Sequence, residues 1–166
     1  MIDAWLTPDR RRSLVHGAIG AGGGWFVLAL LVWICGAPSI MGAVAWALLV
    51  PAVLMMGFTL AVMAVRMHVR AFDPVNAADP PAVRAASRAL TNTLEQAAVF
   101  APSAVVIALT SGPAVRQLVP ALAITFLLAR VVFWVGYLTA PVNRAVGMAA
   151  TLGVNAVALL AALIAA

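Results

Sequence analysis

Polar side chains able to bind a ligand recur at helical spacing within segments that are otherwise apolar. Arg88, Asn92 and Glu95 are separated by four and three residues, so a helix would carry them on one stripe. Arg130 and Tyr137 are seven residues apart, which is two helical turns on one face. Because an ionised group in apolar surroundings costs free energy unless it has a partner, these residues are candidates for a binding site.

These residue types favour an anionic ligand. A guanidinium group meets a carboxylate through two parallel hydrogen bonds, and Arg66, Arg70 and Arg144 add cations near the ends of apolar segments. Glu95 would bind a ligand amine or hold an arginine in place. An arginine beside a thiol stabilises the thiolate, which is the reactive form. A small anionic peptide with an amine and a thiol would therefore use all of these groups.

The composition shows which elements must position these groups. Of the 166 residues, 65% are hydrophobic and only 9% are charged, whereas a soluble domain carries about 25% charged residues. So few charges cannot cover a water-facing surface. The apolar segments lack the alternation of a membrane β-barrel, and a helix satisfies its own backbone hydrogen bonds in lipid. The sequence therefore predicts an all-α, polytopic membrane protein.

Five segments reach the length of about 20 apolar residues that a helix needs to cross a bilayer. They run from about Leu14 to Ile34, from Ile40 to Val65, from Pro81 to Leu109, from Val115 to Leu138, and from Val142 to the C-terminus. Asp79 is expected to cap the third helix. The small residues Gly22–Gly24 would allow close helix packing or would simply be tolerated in lipid.

The positive charge is carried entirely by arginine, and its distribution predicts the orientation in the membrane. With a cytoplasmic N-terminus, most arginines lie on the cytoplasmic side: Arg10, Arg11, Arg12, Arg66, Arg70, Arg84, Arg88 and Arg144. Arg116 lies on the opposite side, as does the C-terminus. The arginines are too scattered for a nucleic-acid surface, so no nucleic-acid partner is expected. No metal site is expected either, because no residue has ligand spacing to His68.

Three motifs, in this order along the chain, resemble the MAPEG superfamily, the membrane-associated proteins in eicosanoid and glutathione metabolism. Val65–Val69 resembles the end of the family's first helix. Arg88–Glu95 resembles its Arg-Ala-x-x-Asn-x-x-Glu motif. Ala129–Tyr137 is similar to its Ala-Arg segment with a tyrosine seven residues on, and Arg144 stands where leukotriene-synthase-like members carry the arginine that activates the thiol. The resemblance extends from about Leu48 to the C-terminus.

The resemblance implies a four-helix bundle that forms a homotrimer, with glutathione bound as co-substrate between subunits near the cytoplasmic side. The positions that would contact glutathione or shape its site are Arg66, Arg88, Asn92, Glu95, Arg130, Tyr137 and Arg144. Arg144 would be catalytic, since it would lower the pKa of the glutathione thiol, and Asn92 and Glu95 would position the peptide. The expected location is the inner membrane of a bacterium.

The chain departs from the family pattern in two respects. The first helix has no counterpart, so the expected domains are an extra N-terminal transmembrane helix (residues 1–38) and a MAPEG-like four-helix domain (residues 39–166). Leu90 and Thr91 stand where some eicosanoid-synthesising members carry His and Arg, and Phe133 replaces a polar residue or a tyrosine. These differences make a prostaglandin or leukotriene substrate unexpected.

The leading hypothesis is a glutathione transferase or peroxidase that acts on lipophilic electrophiles delivered by the surrounding lipid. One alternative is a non-catalytic scaffold or modulator with the same fold, which the residues at 90, 91 and 133 favour. Another is a small-molecule exporter that uses Glu95 as a proton-coupled carboxylate. The neighbouring Arg88 and Asn92 argue against the exporter, because a paired arginine should hold the carboxylate ionised.

Overall fold

Long helices form the whole architecture of the computed structural model, which describes residues 7–73, 78–139 and 142–166. The helices are α1 (Pro8–Ile34), α2 (Ile40–His68), α3 (Pro81–Thr110), the single-turn α4 (Pro113–Arg116), α5 (Leu118–Thr139) and α6 (Arg144–Ala165). With α4 and α5 taken as one span, five helices among the described residues are long and apolar enough to cross a membrane. The predicted all-α, polytopic membrane protein is confirmed.

Contacts near the helix ends show which termini lie together. Gly20 and Gly24 of α1 touch Val146 and Ala150 of α6 in the same order, so these two helices run parallel. Arg66, at the end of α2, pairs with Asp79, just before α3. The starts of α1, α3 and α6 therefore lie at the same end of the bundle as the finish of α2 and α5. We call this the arginine-rich end.

The central helix of the bundle is α5, which contacts α1, α2, α3 and α6. Phe126 of α5 stacks on Phe100 of α3, with ring centroids 4.6 Å apart. Trp134 meets Phe58 of α2 edge to face at 5.3 Å. In contrast, α1 packs mainly on α6 and has few buried residues. A polar residue on the inner side of α5 is therefore shielded from the surroundings, whereas α1 lies at the periphery.

Two glycines bring α1 close to α6. A Cβ atom on Gly20 would overlap the Val146 carbonyl, and one on Gly24 would lie 3.1 Å from the Cβ of Ala150. The spacing of four residues on both helices is the small-residue pattern of membrane helix pairs. The close packing anticipated for Gly22–Gly24 is found, but it involves Gly24 and Gly20, whereas the remaining two glycines of the run have open space around them.

The first helix starts earlier than predicted. It begins at Pro8 rather than near Leu14, because Thr7 caps it: the Thr7 hydroxyl accepts from the backbone N–H of Arg10 at 3.4 Å. Proline at the first position fits this start, since the proline ring presets the helical φ angle and the missing N–H has no helical partner there. The first turns of α1 therefore carry the arginine run on a helix.

The predicted cap of α3 is wrong. The residue that precedes the helix is Pro80, which offers no side-chain hydrogen bond, and α3 begins with a second proline, Pro81. The Asp79 carboxylate instead forms an ion pair with Arg66. A full ion pair with a guanidinium competes successfully with a single capping bond, so the carboxylate links two helices rather than ending one.

Candidate functional site

Arg130 is the centre of a polar cluster inside the bundle. Its side chain is 0% exposed, which follows from its place on the inner side of α5. Nε and Nη2 donate to the Thr93 hydroxyl of α3 at 3.2 and 3.0 Å. Nη2 also donates to Oδ1 of Asn92 at 3.0 Å, and Nη1 donates to the Thr151 hydroxyl of α6 at 3.5 Å. One arginine thus joins three helices.

The two hydroxyl partners are oriented to receive these hydrogen bonds. The Thr93 hydroxyl donates to the carbonyl of Ala89, and the Thr151 hydroxyl donates to the carbonyl of Gly147, both at 2.7 Å. Their lone pairs are therefore left for Arg130. Every one of these partners is neutral, and no carboxylate in the described part of the chain lies within ion-pairing distance of this guanidinium. Within the described residues, its charge is therefore balanced by no anion.

Asn92 connects the buried arginine to the surface. Because its Oδ1 accepts from Arg130, its amide nitrogen faces the Glu95 carboxylate, 3.4 Å from Oε2. Glu95 is exposed. The predicted stripe therefore brings these two side chains together. The amide has a fixed orientation, with its donor side toward the exterior.

Arg88 is on the predicted stripe but does not pair with Glu95. It is exposed, and within residues 7–73, 78–139 and 142–166 its guanidinium has no hydrogen bond or ion pair. The described part of the single chain therefore contains no ion pair between Arg88 and Glu95, so it does not support this argument against the exporter. Both groups are available to a ligand.

Two aromatic rings continue the cluster along α5. The Phe133 ring lies 4.0 Å from Cζ of Arg130, and Tyr137 meets Phe133 edge to face at 5.7 Å. Arg144, at the start of α6, donates from Nη1 to the Tyr137 hydroxyl at 3.1 Å. A Cβ atom on Gly136 would lie 2.8 Å from the backbone nitrogen of Arg144, so glycine is what allows α6 to begin so close to Tyr137. One buried and one exposed cation flank this aromatic pair.

Arg66 lies in a different environment, at the junction of α2 and α3. Its Nη2 is 2.8 Å from Oδ2 of Asp79, and the two side chains are 25% and 26% exposed. Arg84 donates to the backbone carbonyl of the same aspartate. This group of residues ties the end of α2 to the start of α3. The structure does not bring Arg66 into the hydrogen-bond network of Arg130.

Four hydrogen-bonding residues of the interior were missed by sequence reasoning. Besides Thr93 and Thr151, Asn155 of α6 donates from Nδ2 to Oε1 of Gln96 at 2.8 Å and to its carbonyl at 3.1 Å. A signal was present, because Gly147, Thr151 and Asn155 follow one another at intervals of four on an otherwise apolar helix. That interval marks one helix face.

Gly147 sets the distance between α5 and α6. A Cβ atom there would overlap the backbone of Phe133 and lie 2.6 Å from the carbonyl oxygen of Ala129. The two helices therefore touch at their backbones. This contact lets Thr151, one turn further along α6, reach Arg130.

The accessible groups of the cluster combine both signs of charge. They are the Glu95 carboxylate, the Asn92 amide, the Tyr137 phenol and the guanidinium groups of Arg88 and Arg144. A carboxylate suits a ligand amine, and guanidinium groups suit a ligand carboxylate or thiolate. Behind them, the buried guanidinium adds positive charge in surroundings of low dielectric constant, where its field is weakly screened. The arrangement is suited to a small zwitterionic molecule with net negative charge.

Comparison with known proteins places the chain in a family. The MAPEG family model matches residues 43–164, from the first turn of α2 to the end of α6. Searches of curated proteins and of solved structures each found no significant match. The matched residues include the whole polar cluster and leave α1 outside. The family includes glutathione transferases and peroxidases as well as non-catalytic members. This integral membrane protein belongs to the MAPEG family.

Proposed function

We propose that the protein is a glutathione-dependent transferase or peroxidase that acts on lipophilic electrophiles. The observation that carries the proposal is the buried Arg130 guanidinium, whose partners are all neutral. An isolated buried charge is costly, and an anion bound nearby offsets that cost. Glutathione supplies such an anion together with the amine and thiol that the surrounding groups suit.

Each accessible group of the cluster has a place in this proposal. Glu95 binds the glutathione ammonium, and the Asn92 amide and the Arg88 guanidinium bind its carboxylates. Arg144 stabilises the thiolate, held in place by its hydrogen bond to Tyr137. Arg130 is a positioning residue, since it is fully buried and fixes the orientation of the Asn92 amide.

The reaction proposed needs no bound cofactor beyond the thiol itself. The thiolate sulfur attacks an electrophilic carbon, a C–S bond forms, and the leaving group departs with its electron pair. With a hydroperoxide, the sulfur attacks the terminal oxygen, an S–O bond forms and the O–O bond breaks, so that the alcohol leaves and glutathione becomes a sulfenic acid. The thiol of a second glutathione then attacks this sulfur and yields the disulfide and water. The lipid delivers the acceptor, because a lipophilic molecule concentrates in the bilayer.

The same proposal covers assembly and placement. We infer a homotrimer in the bacterial inner membrane, with glutathione between subunits and the arginine-rich end cytoplasmic, as the asymmetry of the arginines favours. Residues 39–166 form the catalytic four-helix domain, and residues 1–38 add a helix outside it. Arg66, predicted for the site from the resemblance, is assigned to the α2–α3 junction, because Asp79 already neutralises it.

The test is turnover of glutathione with a lipophilic aryl halide by the purified full chain. Glu95→Gln keeps the side-chain shape and removes the charge that binds the ammonium, so KM for glutathione should rise about fivefold, as expected for an exposed ion pair worth about 1 kcal/mol. Asp79→Asn also replaces a carboxylate by an amide, but outside the cluster, so it should leave the KM for glutathione unchanged. Equal effects of the two substitutions would contradict the assignment. Glutathione binding without any turnover would identify a non-catalytic member.

A second candidate function is proton-coupled export, which the lack of an Arg88–Glu95 pair favours. Glu95 lies near the middle of α3, and its contact within the described residues is a neutral amide. A carboxylate in this situation can exchange a proton during transport. Flux of a small organic anion into proteoliposomes, driven by a pH gradient and lost in Glu95→Gln, would support export over catalysis.

A further inference from the structure

A groove of about 240 Å³ lies on the outer side of the bundle between α1, α5 and α6. Its α1 wall includes Ile19, Gly23 and Val27, and its α5 wall includes Leu128 and Val132. Gly23 has no atom within 4 Å of the position of a Cβ, so the groove is open at this glycine. The groove is almost entirely apolar. Thr125 contributes a hydroxyl group to its lining, but this hydroxyl already donates to the carbonyl of Ala121.

A second cavity, of about 440 Å³, lies on the same stripe of α1 toward the arginine-rich end. It is lined by Pro8, Arg11, Arg12, Val15 and His16. Arg11 and Arg12 are exposed. Nδ1 of His16 is buried and has no hydrogen-bond partner among the described residues. A polar nitrogen left without a partner beside two guanidinium groups is suited to an oxygen-rich anion.

The two cavities are aligned along one face of α1. Arg12, His16, Ile19, Gly23 and Val27 follow one another at intervals of three and four residues, so they form one stripe. Arg12 and Gly23 are separated by eleven residues, or about 16 Å along the helix axis. This is the order of separation between a phosphate and the middle of an acyl chain in one leaflet, whose hydrocarbon half is about 15 Å thick.

We propose that α1 carries a binding site for an anionic phospholipid. The headgroup phosphate lies against Arg11, Arg12 and His16, and one acyl chain occupies the groove at Gly23. Guanidinium groups at the membrane boundary attract anionic headgroups, and an apolar groove suits a chain of methylene groups. The site lies outside the polar cluster of Arg130 and does not depend on the function proposed for it.

The test is native mass spectrometry of the full chain in detergent micelles, titrated with phosphatidylglycerol or with phosphatidylcholine of the same acyl chains. Phosphatidylglycerol should bind saturably and more tightly. Gly23→Leu should abolish saturable binding of phosphatidylglycerol by filling the groove, whereas Gly22→Leu, at a glycine with equal open space that does not line the groove, should retain it. Arg12→Gln should weaken binding about fivefold, as for the loss of one arginine near a membrane surface. Arg70→Gln removes an exposed arginine at the same end and should have no effect.

Several outcomes would overturn the proposal. Equal binding of the two lipids would remove the headgroup assignment, and equal loss in Gly22→Leu and Gly23→Leu would remove the groove. A changed oligomer distribution in Gly23→Leu with unchanged lipid binding would assign the groove to a second copy of the chain. If glycerol phosphate displaced the lipid at equal concentration, the acyl chain would contribute nothing to binding, and the site would be one for small anions.

Discussion

Arg66 and Arg130 are both interior-facing arginines of the family-matched region, yet their charges are balanced in different ways. Arg66 faces the Asp79 carboxylate at 2.8 Å, and about a quarter of each side chain is exposed. Arg130 is fully buried and is held by two hydroxyl groups and an amide. The first charge is neutralised by the chain itself. The second is solvated by dipoles without being neutralised.

This difference in charge balance indicates that Arg66 has a structural role, whereas Arg130 belongs to a ligand-binding region. The charges of the α2–α3 junction balance each other without a ligand, because the cation and the anion lie in the same chain. The charge of Arg130 is not balanced in this way, because neutral acceptors stabilise a cation less than a carboxylate does. Substitutions in the two regions should therefore affect different quantities: folding at the junction, and ligand binding at the cluster.

Among substitutions of the accessible groups of the cluster, the largest effect is expected for Arg144→Ala. If Arg144 holds bound glutathione as the thiolate, its loss returns the thiol to its ordinary pKa, so that the thiolate fraction at neutral pH falls about thirtyfold. Stopped-flow ultraviolet absorbance of the thiolate measures this directly. Arg12→Ala removes an exposed arginine at the same end of the molecule and should leave the signal intact. A full signal in Arg144→Ala would remove this residue from the mechanism.

Thr93→Val should have the next largest effect, and a larger one than Thr151→Val. Thr93 accepts two hydrogen bonds from Arg130, at 3.2 and 3.0 Å, whereas Thr151 accepts one at 3.5 Å. Valine keeps the shape and removes the acceptor, which costs about 2 kcal/mol for bonds to a charged group. Glutathione affinity by calorimetry should thus fall more than tenfold in Thr93→Val and less in Thr151→Val. The reverse order would show that the threonines do not position Arg130.

A smaller effect is expected for Tyr137→Phe. The substitution removes the hydroxyl that accepts from Arg144 but keeps the ring between the two cations. An exposed hydrogen bond of this kind contributes about 1 kcal/mol, so the thiolate fraction should fall a few-fold while glutathione affinity stays nearly constant. Tyr137→Leu, which also removes the ring, should lower both quantities. Equal results for the two variants would exclude a role for the hydroxyl.

The smallest effect on binding is expected at the α2–α3 junction. In a double-mutant cycle of Arg66→Gln and Asp79→Asn, the coupling in the free energy of unfolding should be about 0.5–1 kcal/mol, since the pair is partly exposed. Glutathione affinity should be the same in all four proteins. A loss of affinity in Arg66→Gln as large as that in Thr93→Val would place Arg66 in the ligand site after all.

Much of the fold was predictable, because membrane-spanning helices are recognised from the hydropathy of consecutive residues, which can be read from the sequence. The polar stripe of Asn92 and Glu95 was predictable for the same reason, since helical spacing is local. The pairing of Asp79 with Arg66 and the partners of Arg130 were not, because they depend on which helices pack together. Gly147 is an example. It is required because the backbones of α5 and α6 touch there, and the sequence of α6 alone does not show which helix packs against it.

The functional difference between Arg130 and Arg66 is tested most directly by the thiolate signal of the wild-type chain, Arg130→Met and Arg66→Met on mixing with glutathione at neutral pH. Methionine fills most of the arginine volume, and size-exclusion chromatography with circular dichroism establishes that each variant remains a folded oligomer. We expect a saturable signal in the wild type and in Arg66→Met, and none in Arg130→Met. A signal that survives in Arg130→Met, or that disappears equally in both variants, would contradict the division between the two arginines.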